Sequence, residues 1–240
     1  MSDADSLLEP LRARPADSAL FFDVDGTLAP IVGDPAQAAV PEGTRHELER
    51  LADTYRLVAA VSGRPGDEAR RIVDVDSVVY IGNHGLELDP RAAEFAPALA
   101  ELRDSVARPA EDKGLSLTFH FRNADDEAAA VAELERVAAQ ARERGLDARW
   151  GRKVLEVRPP VEADKGTAVR ALIAEGSVRR ALYAGDDTTD LDAFEALAAT
   201  GLEAAVRVAV GSDEAPPELI DAADLLVSGP EALAELLRRL

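Results

Sequence analysis

Six short apolar runs recur along the chain, and each is followed by glycine or by polar residues. The runs are ALFF (19–22), LVAAV (57–61), VVYI (78–81), ALYA (181–184), VRVAV (206–210) and DLLV (224–227). Most of them are nearly continuous rather than alternating, which is typical of strands that are buried on both faces of a parallel sheet. The pattern therefore predicts a sheet that is covered on both sides.

Segments with helical spacing lie between several of these runs. Residues 41–54 begin with a proline, residues 164–176 end at a glycine, and residues 190–201 carry a similar apolar stripe. Proline favours the first turn of a helix, and glycine favours its end. Strands that alternate with helices predict an α/β fold with a doubly wound parallel sheet.

The stretch from 87 to 162 has a different pattern, which is typical of an α+β unit with antiparallel strands. Its predicted elements are a helix at 94–107, an alternating strand at 116–122, a long helix at 125–144 and strand-like segments between 147 and 159. We therefore predict a core formed by residues 1–86 and 163–240. Residues 87–162 are predicted to form a separate domain that is inserted between the two halves of this core.

The charge balance narrows the classes of partner. With 27 basic and 46 acidic residues, the formal net charge is −19, which argues against binding to nucleic acids and to anionic membranes. The chain has no cysteine, which excludes disulfides and thiolate metal sites. The N-terminus has acidic residues where a signal peptide needs basic ones, so we expect a cytoplasmic protein.

Polar side chains follow four of the apolar runs, at the points where the predicted strands end. In parallel α/β sheets the carboxyl ends of the strands meet at one edge, and ligands bind there. We therefore expect these residues to converge. In chain order they are Asp23 and Asp25, then Ser62, Gly63 and Arg64, then Asn83, His84 and Gly85, and finally Asp186, Asp187 and Asp190.

Carboxylates that are gathered at one edge need a cation between them. With no cysteine and only three histidines, the usual zinc ligands are missing. Asp23, Asp25 and Asp186, with a backbone carbonyl and waters, suit Mg²⁺ instead, because this ion prefers oxygen ligands. A carboxylate beside Mg²⁺ and a phosphate can act as a covalent nucleophile, and a second carboxylate two residues on can transfer protons.

Lysine and arginine at helix starts indicate a bound anion. Lys165 stands in the first turn of a predicted helix, where the helix dipole disfavours a cation. Ser62 and Arg64 lie at another junction of loop and helix, which suits a phosphate. The sequence therefore predicts a phosphate-bearing substrate.

Taken together, DVDGTL, a serine at a strand end, a downstream lysine and GDDTTD resemble the four signature motifs of the haloacid dehalogenase superfamily of phosphatases. The resemblance implies that Asp23 is the nucleophile and Asp25 the general acid and base. It further implies a set of binding residues. Phosphate would be held by Ser62, Gly63, Arg64 and Lys165, and Mg²⁺ by Asp23, Asp25 and Asp186, with Asp187 and Asp190 as further ligands or as residues behind them.

A narrower resemblance rests on SGRP, GNHGLE and KVLEVRP, followed by DKG. These motifs are similar to those of the trehalose-6-phosphate phosphatase family, whose inserted cap closes over the sugar. The likeness implies substrate-binding roles for Asn83, His84, Gly85, Lys153, Glu156 and Arg158. In a regular strand, Glu156 and Arg158 would share one face and Lys153 would lie on the other.

The family resemblance has one departure and leaves alternatives open. Leu191 stands where the family's last motif usually has an acidic residue, although the predicted metal ligands are intact. The substrate could be another sugar or glycosyl phosphate, and a catalytically silent sugar-phosphate sensor is a further alternative. Whether a trehalose-6-phosphate synthase is a partner also stays open.

Overall fold

The computed structural model describes residues 3–151, 153–211 and 215–240. Its strands are β1 (Ser18–Phe22), β2 (Leu57–Val61), β3 (Val79–Ile81), β4 (Glu111–Asp112), β5 (Leu117–His120), β6 (Asp147–Gly151), β7 (Val154–Arg158), β8 (Arg180–Gly185), β9 (Ala204–Val210) and β10 (Leu225–Val227). Its helices are α1 (Asp3–Ala13), α2 (Glu42–Thr54), α3 (Gly66–Val73), α4 (Ala96–Ser105), α5 (Glu127–Glu143), α6 (Lys165–Gly176), α7 (Leu191–Ala199), α8 (Pro217–Ala222) and α9 (Gly229–Leu237). Within these ranges, none of the helices combines the length and the hydropathy that crossing a bilayer requires.

The chain divides into two compact units. The first comprises Met1–Gly85 and Ala163–Leu240, and the second comprises Leu86–Glu162. The predicted boundary at residue 87 differs by one residue from the start of this second unit. The function of the second unit as a cap stays a prediction.

The first unit contains a six-stranded sheet in the order β10-β9-β8-β1-β2-β3, and all of its pairs are parallel. Going outward from the centre, β1 leads to β2 and β3 on one side and β8 leads to β9 and β10 on the other. The strand order therefore reverses between β1 and β8, where parallel α/β sheets form a crevice at the strand ends. The predicted doubly wound α/β fold is confirmed.

Helices cover both faces of this sheet. Leu20 and Phe22 of β1 pack in one apolar cluster with residues of α1, α2, α3 and α9. Ala19 and Phe21 point to the opposite face and pack with residues of α6 and α7. Because both faces are buried, the strand needs apolar residues at every position, which explains why its run is continuous.

The second unit is built on a four-stranded antiparallel sheet in the order β4-β5-β7-β6. Phe119 and Leu155 on one face of it pack with Leu134 of α5 and with residues of α4. Thr118 and Glu156 are opposite each other in the register of β5 and β7 and belong to the other face. β5 covers only Leu117–His120, and three of its four residues, Thr118 included, are buried, so the expected half-exposed strand at 116–122 is shorter and more buried than predicted.

Candidate active site

The carboxyl ends of β1 and β8 bring the first and last acidic motifs together. Phe22 is in register with Ala184, and the backbone N–H of Asp23 donates to the carbonyl of Ala184 at 2.9 Å. Asp23 directly follows β1, and Asp186 directly follows β8. The site therefore lies where the strand order reverses.

Asp23 is held by a buried lysine. The Nζ atom of Lys165 lies 3.0 Å from Oδ1 of Asp23 and 2.7 Å from Oδ1 of Asp190. The lysine and Asp190 side chains are almost completely buried. Two of the chain's own carboxylates therefore lie beside Lys165, and the phosphate predicted there stays a prediction.

The start of α6 is well defined, which fixes the position of Lys165. Asp164 caps the helix by accepting the backbone N–H of Thr167, and the Thr167 hydroxyl oxygen accepts the backbone N–H of Asp164. Such a reciprocal cap satisfies backbone groups that a helix start would leave unpaired. Lys165 is consequently the first residue of a rigid helix.

Asp190 uses all of its acceptor capacity inside the protein. Its Oδ1 atom accepts hydrogen bonds from Lys165 and from the Tyr183 hydroxyl, both at 2.7 Å. Its Oδ2 atom accepts the backbone N–H groups of Asp186 and Asp187, both at 2.9 Å. A carboxylate has about four acceptor sites. Asp190 therefore supports the loop and the lysine and is not free to bind a metal.

Asp186 is positioned by the motif that follows β1. The Thr27 hydroxyl donates to its Oδ1 atom at 3.0 Å. Gly26 packs directly on the carboxylate, because a Cβ atom there would lie 2.1 Å from Oδ2 of Asp186. The glycine also has a φ of 77°, which disfavours other residues. Glycine in DVDGTL is thus required by the approach of Asp186.

The rest of the GDDTTD motif has a structural role. The exposed side chain of Asp187 accepts the backbone N–H of Thr188 at 2.7 Å and caps the short turn before α7. Leu191, at the position where the family usually has an acidic residue, is partly buried and packs against an apolar cluster. Its side chain extends the packing of α7 on the sheet.

The site has an excess of negative charge. Carboxylate oxygens of Asp23, Asp186 and Asp190 lie within 4.8 Å of one another. Burial raises the pKa of Asp23 well above its usual range, with Asp190 and Asp186 adding to the effect of burial and Lys165 opposing it. Burial and the charge of Asp190 likewise raise the pKa of Asp186 to about 6. Burial opposes the charge of Lys165, but Asp190 and Asp23 more than offset it, so the pKa of the lysine is raised.

The loops that follow β2 and β3 are bonded to each other. Ser62 is buried, and its carbonyl accepts the backbone N–H of His84 at 2.9 Å. The backbone N–H of Asn83 donates to the carbonyl of Arg64 at 2.8 Å. A Cβ atom on Gly63 would lie 2.5 Å from Nε2 of His84, so the imidazole packs against the glycine. The absence of a side chain at Gly63 therefore permits this packing.

Asp25 and Arg64 form a pair that the sequence did not predict. The guanidinium donates to Oδ2 of Asp25 at 2.6 Å through Nε and to Oδ1 at 2.7 Å through Nη2. The Asp25 carboxylate does not belong to the cluster of Asp23, Asp186 and Asp190 among the described residues. Its role as a metal ligand stays a prediction.

In the second unit, the structure separates the three residues of the KVLEVRP motif. Lys153 precedes β7 with a φ of 62°, and its ammonium pairs with Glu127 of α5. It therefore lies in the turn before the strand, so the rule for faces of a regular strand does not apply to it. Arg158 is buried and donates to the carbonyl of Val161 at 3.4 Å.

Glu156 is the least restrained residue of that motif. It is opposite Thr118 of β5 and opposite Arg149 of β6 in the register of the sheet. Within the described residues its side chain makes no hydrogen bond or ion pair. A half-buried carboxylate with this freedom can accept hydrogen bonds from a ligand.

Two residues that hydrogen-bond to carboxylates of the site were not predicted as site residues. Thr27 could have been identified, because a hydroxyl inside the DVDGTL motif is a possible donor to a neighbouring carboxylate. Tyr183 lies inside the apolar run ALYA and is completely buried, so its hydrogen bond to Asp190 has no signal in the sequence.

Comparison with known proteins identifies the relatives of this chain. The sequence profile of the trehalose-phosphatase family matches residues 21–107 and 103–222. A trehalose-phosphate phosphatase of Mycobacterium marinum is 35% identical over 92% of this chain and 61% of its own length. A trehalose 6-phosphate phosphatase of Zea mays is 32% identical over 97% of this chain and 72% of its own length. The chain thus spans less than two thirds of the mycobacterial relative.

A solved structure has the same fold. It is that of a trehalose-6-phosphate phosphatase related protein, with a TM-score of 0.73 and 24% identity. The match covers 92% of this chain and 95% of that chain. The similarity therefore includes both units of the described fold.

Proposed function

The chain belongs to the trehalose-phosphatase family, and from this we propose that it hydrolyses trehalose 6-phosphate to trehalose and inorganic phosphate. The observation that carries the proposal is the buried contact between Asp23 and Lys165 at the point where the strand order reverses. A carboxylate beside a fixed cation suits attack on a phosphate ester, because the cation offsets the charge of the incoming phosphate. The cytoplasmic location stays a prediction.

The proposed reaction has two steps. A carboxylate oxygen of Asp23 attacks phosphorus, and the bond between phosphorus and the sugar oxygen breaks to leave an aspartyl-phosphate. The leaving oxygen takes a proton from Asp25. In the second step, Asp25 accepts a proton from a water whose oxygen attacks phosphorus. The bond to Asp23 then breaks, which releases phosphate and restores both carboxyl groups.

Lys165 and Ser62 are proposed to bind the phosphate group. The lysine supports this role by its position, because its Nζ atom lies 3.0 Å from an oxygen of the carboxylate that would attack phosphorus. Asp190 keeps the ammonium in place and keeps it charged. Gly63 and Arg64 belong to the same loop as Ser62 and were predicted to contribute to the same site.

The donor set fits Mg²⁺. Asp23 and Asp186 offer carboxylate oxygens close to each other, in a site where burial and negative charge raise the pKa values of both groups. The backbone carbonyl of Asp25 is proposed as a third ligand. When bound, the ion would supply positive charge that neutralises the phosphate oxygens. Asp187 and Asp190 would hold the ligand loop without touching the ion.

Recognition of the sugar is proposed to depend on the second unit. Glu156 is the strongest candidate, because its carboxylate has no partner within the described residues and stands in a row with Thr118 and Arg149. Lys153 and Arg158 remain proposed contributors through their donor groups. Asn83, His84 and Gly85 are proposed to contribute from the loop that follows β3.

The proposal is tested by phosphate release from a panel of sugar phosphates. Purified protein is incubated with trehalose 6-phosphate, sucrose 6-phosphate and glucose 6-phosphate, each with Mg²⁺ and after treatment with EDTA. We expect the highest kcat/KM for trehalose 6-phosphate, loss of turnover after chelation and recovery when Mg²⁺ is added back.

Each outcome of this panel has a distinct meaning. A clear preference for another ester would identify a different sugar phosphate as the substrate. Binding of trehalose 6-phosphate without turnover would indicate a sensor. Full activity after thorough chelation would remove the metal from the mechanism.

A further inference from the structure

Arg64 makes more contacts with acidic and carbonyl groups than a phosphate-binding residue needs. Besides its two bonds to Asp25, its Nη1 atom donates to Oε1 of Glu68 at 2.5 Å and to the carbonyl of Pro35 at 3.2 Å. The side chain is only 15% exposed. A guanidinium has five N–H donors, and four of them are engaged by these contacts. Little capacity is left for a phosphate.

The two acidic residues of DVDGTL are separated by their cationic partners. Asp23 is bonded to Lys165, whereas Asp25 is bonded to Arg64 on the loop after β2. The parallel fork of an arginine matches the two oxygens of a carboxylate and therefore fixes its orientation as well as its charge. A lysine, which acts as a compact charge on a flexible stem, does not fix a plane.

We propose that Arg64 is a positioning residue that orients the carboxyl group of Asp25 for proton transfer, with Glu68 and the Pro35 carbonyl holding the guanidinium in place. The inference rests on the proposed function, because it concerns the proton that Asp25 gives to the leaving oxygen and later takes from water. Each oxygen of Asp25 has one lone pair engaged by Arg64, so a second lone pair on the same oxygen can carry the proton.

A role in phosphate binding and a role in positioning predict different kinetics. Loss of a phosphate contact weakens every phosphate ester alike and also weakens inhibition by inorganic phosphate. Loss of orientation at Asp25 affects esters in proportion to how much their leaving group needs a proton. kcat/KM covers the steps through cleavage of the ester bond, so it isolates this first proton transfer.

The experiment compares phenyl phosphate with p-nitrophenyl phosphate, two esters of similar size whose leaving groups differ in basicity. For Arg64→Lys we expect kcat/KM on phenyl phosphate to fall at least about tenfold more than on p-nitrophenyl phosphate, since acid–base catalysis contributes about 10²–10⁴-fold. The inhibition constant of inorganic phosphate should change less than about threefold. Arg70→Ala is the matched control, because this arginine of α3 contacts Tyr80 and Asp76 and should leave both values unchanged.

A double-mutant cycle provides a second test. In the background of Asp25→Asn, Arg64→Lys should cause little further loss, because both changes remove the same proton transfer. Glu68→Gln, which loosens the guanidinium without removing it, should shift the ratio of the two esters in the same direction by a smaller factor. Thermal unfolding of each variant separates these effects from a loss of fold.

Two results would overturn the inference. Equal losses on both aryl esters with weaker inhibition by phosphate would make Arg64 a phosphate ligand, and full additivity with Asp25→Asn would uncouple the two residues. A wild type that cleaves the aryl esters but not trehalose 6-phosphate would refute only the proposed substrate. A wild type that cleaves neither the aryl esters nor trehalose 6-phosphate would refute the proposed function and this inference together.

Discussion

The two sheets differ in how they hold their functional carboxylates. At the edge of the parallel sheet, Asp190 is completely buried and accepts four hydrogen bonds. On the antiparallel sheet, Glu156 is half-buried, and its side chain makes no hydrogen bond or ion pair within the described residues. Arg149, which is opposite Glu156 on the neighbouring strand β6, has its Nη2 atom 3.8 Å from Oδ2 of Asp147.

The difference reflects two kinds of task. Stabilising a change of charge requires groups that are already oriented, because reorientation during the reaction costs free energy. Distinguishing one sugar from another requires polar groups that are satisfied by the correct ligand and left unpaired by a wrong one. A saturated carboxylate suits the first task, and a free carboxylate suits the second.

The largest expected effect is at Asp23. Asp23→Asn should lower kcat on trehalose 6-phosphate by at least about 10⁴-fold, because an amide is a poor nucleophile. Phosphate release measured with concentrated enzyme checks this, and thermal unfolding shows whether the fold is intact. We expect the variant to stay folded, because Lys165 keeps its bond to Asp190. Retention of more than about one hundredth of the wild-type kcat would exclude Asp23 as the nucleophile.

The next effect tests the saturated carboxylate. In Asp190→Asn, the side-chain amide would point its own N–H donors at some of the groups that donate to Asp190, and the buried ion pair with Lys165 would be lost. This should lower the free energy of unfolding by about 3–5 kcal/mol. Because Lys165 and the loop of Asp186 then lose their support, kcat/KM should fall at least about a hundredfold. Chemical denaturation and steady-state kinetics measure the two effects.

Asp192→Asn is the matched control for Asp190. This carboxylate lies two residues further on and makes no hydrogen bond or ion pair within the described residues. Its variant should unfold at nearly the wild-type denaturant concentration. If both variants had the same free energy of unfolding, the four hydrogen bonds of Asp190 would not contribute to stability as predicted.

A smaller effect tests the free carboxylate of Glu156. Glu156→Ala should lower kcat/KM for trehalose 6-phosphate by at least about tenfold, which corresponds to the loss of one charged hydrogen bond. Activity on p-nitrophenyl phosphate should change far less, since this ester has no sugar to recognise. Lys153→Ala should cause a smaller loss, because Glu127 already pairs with its ammonium. Equal losses on both esters would mean that Glu156 supports the fold instead.

Much of the fold could be predicted because its physics is local or periodic. Continuous apolar runs indicate strands that are buried on both faces, and the helices α2, α5 and α6 begin and end close to their predicted limits. The helix α1 has no counterpart in the predicted pattern. Its sequence has too few apolar side chains for a clear helical pattern, and Leu8 and Leu11 are buried only because they pack on the sheet.

Parallel strands bring their carboxyl ends to one edge of a sheet, and this rule was enough to predict from the sequence that Asp23 and Asp186 lie together. Lys165 was predicted from a different signal, a cation in the first turn of a helix. Which donor each carboxylate accepts depends on the tertiary structure. The hydroxyl of Thr27 reaches Asp186 across 159 positions of the chain, and Arg64 reaches Asp25 across 39. Hydrogen bonds depend on distances and angles that are set by the packing of whole helices and strands, and no spacing of residues in a motif encodes them.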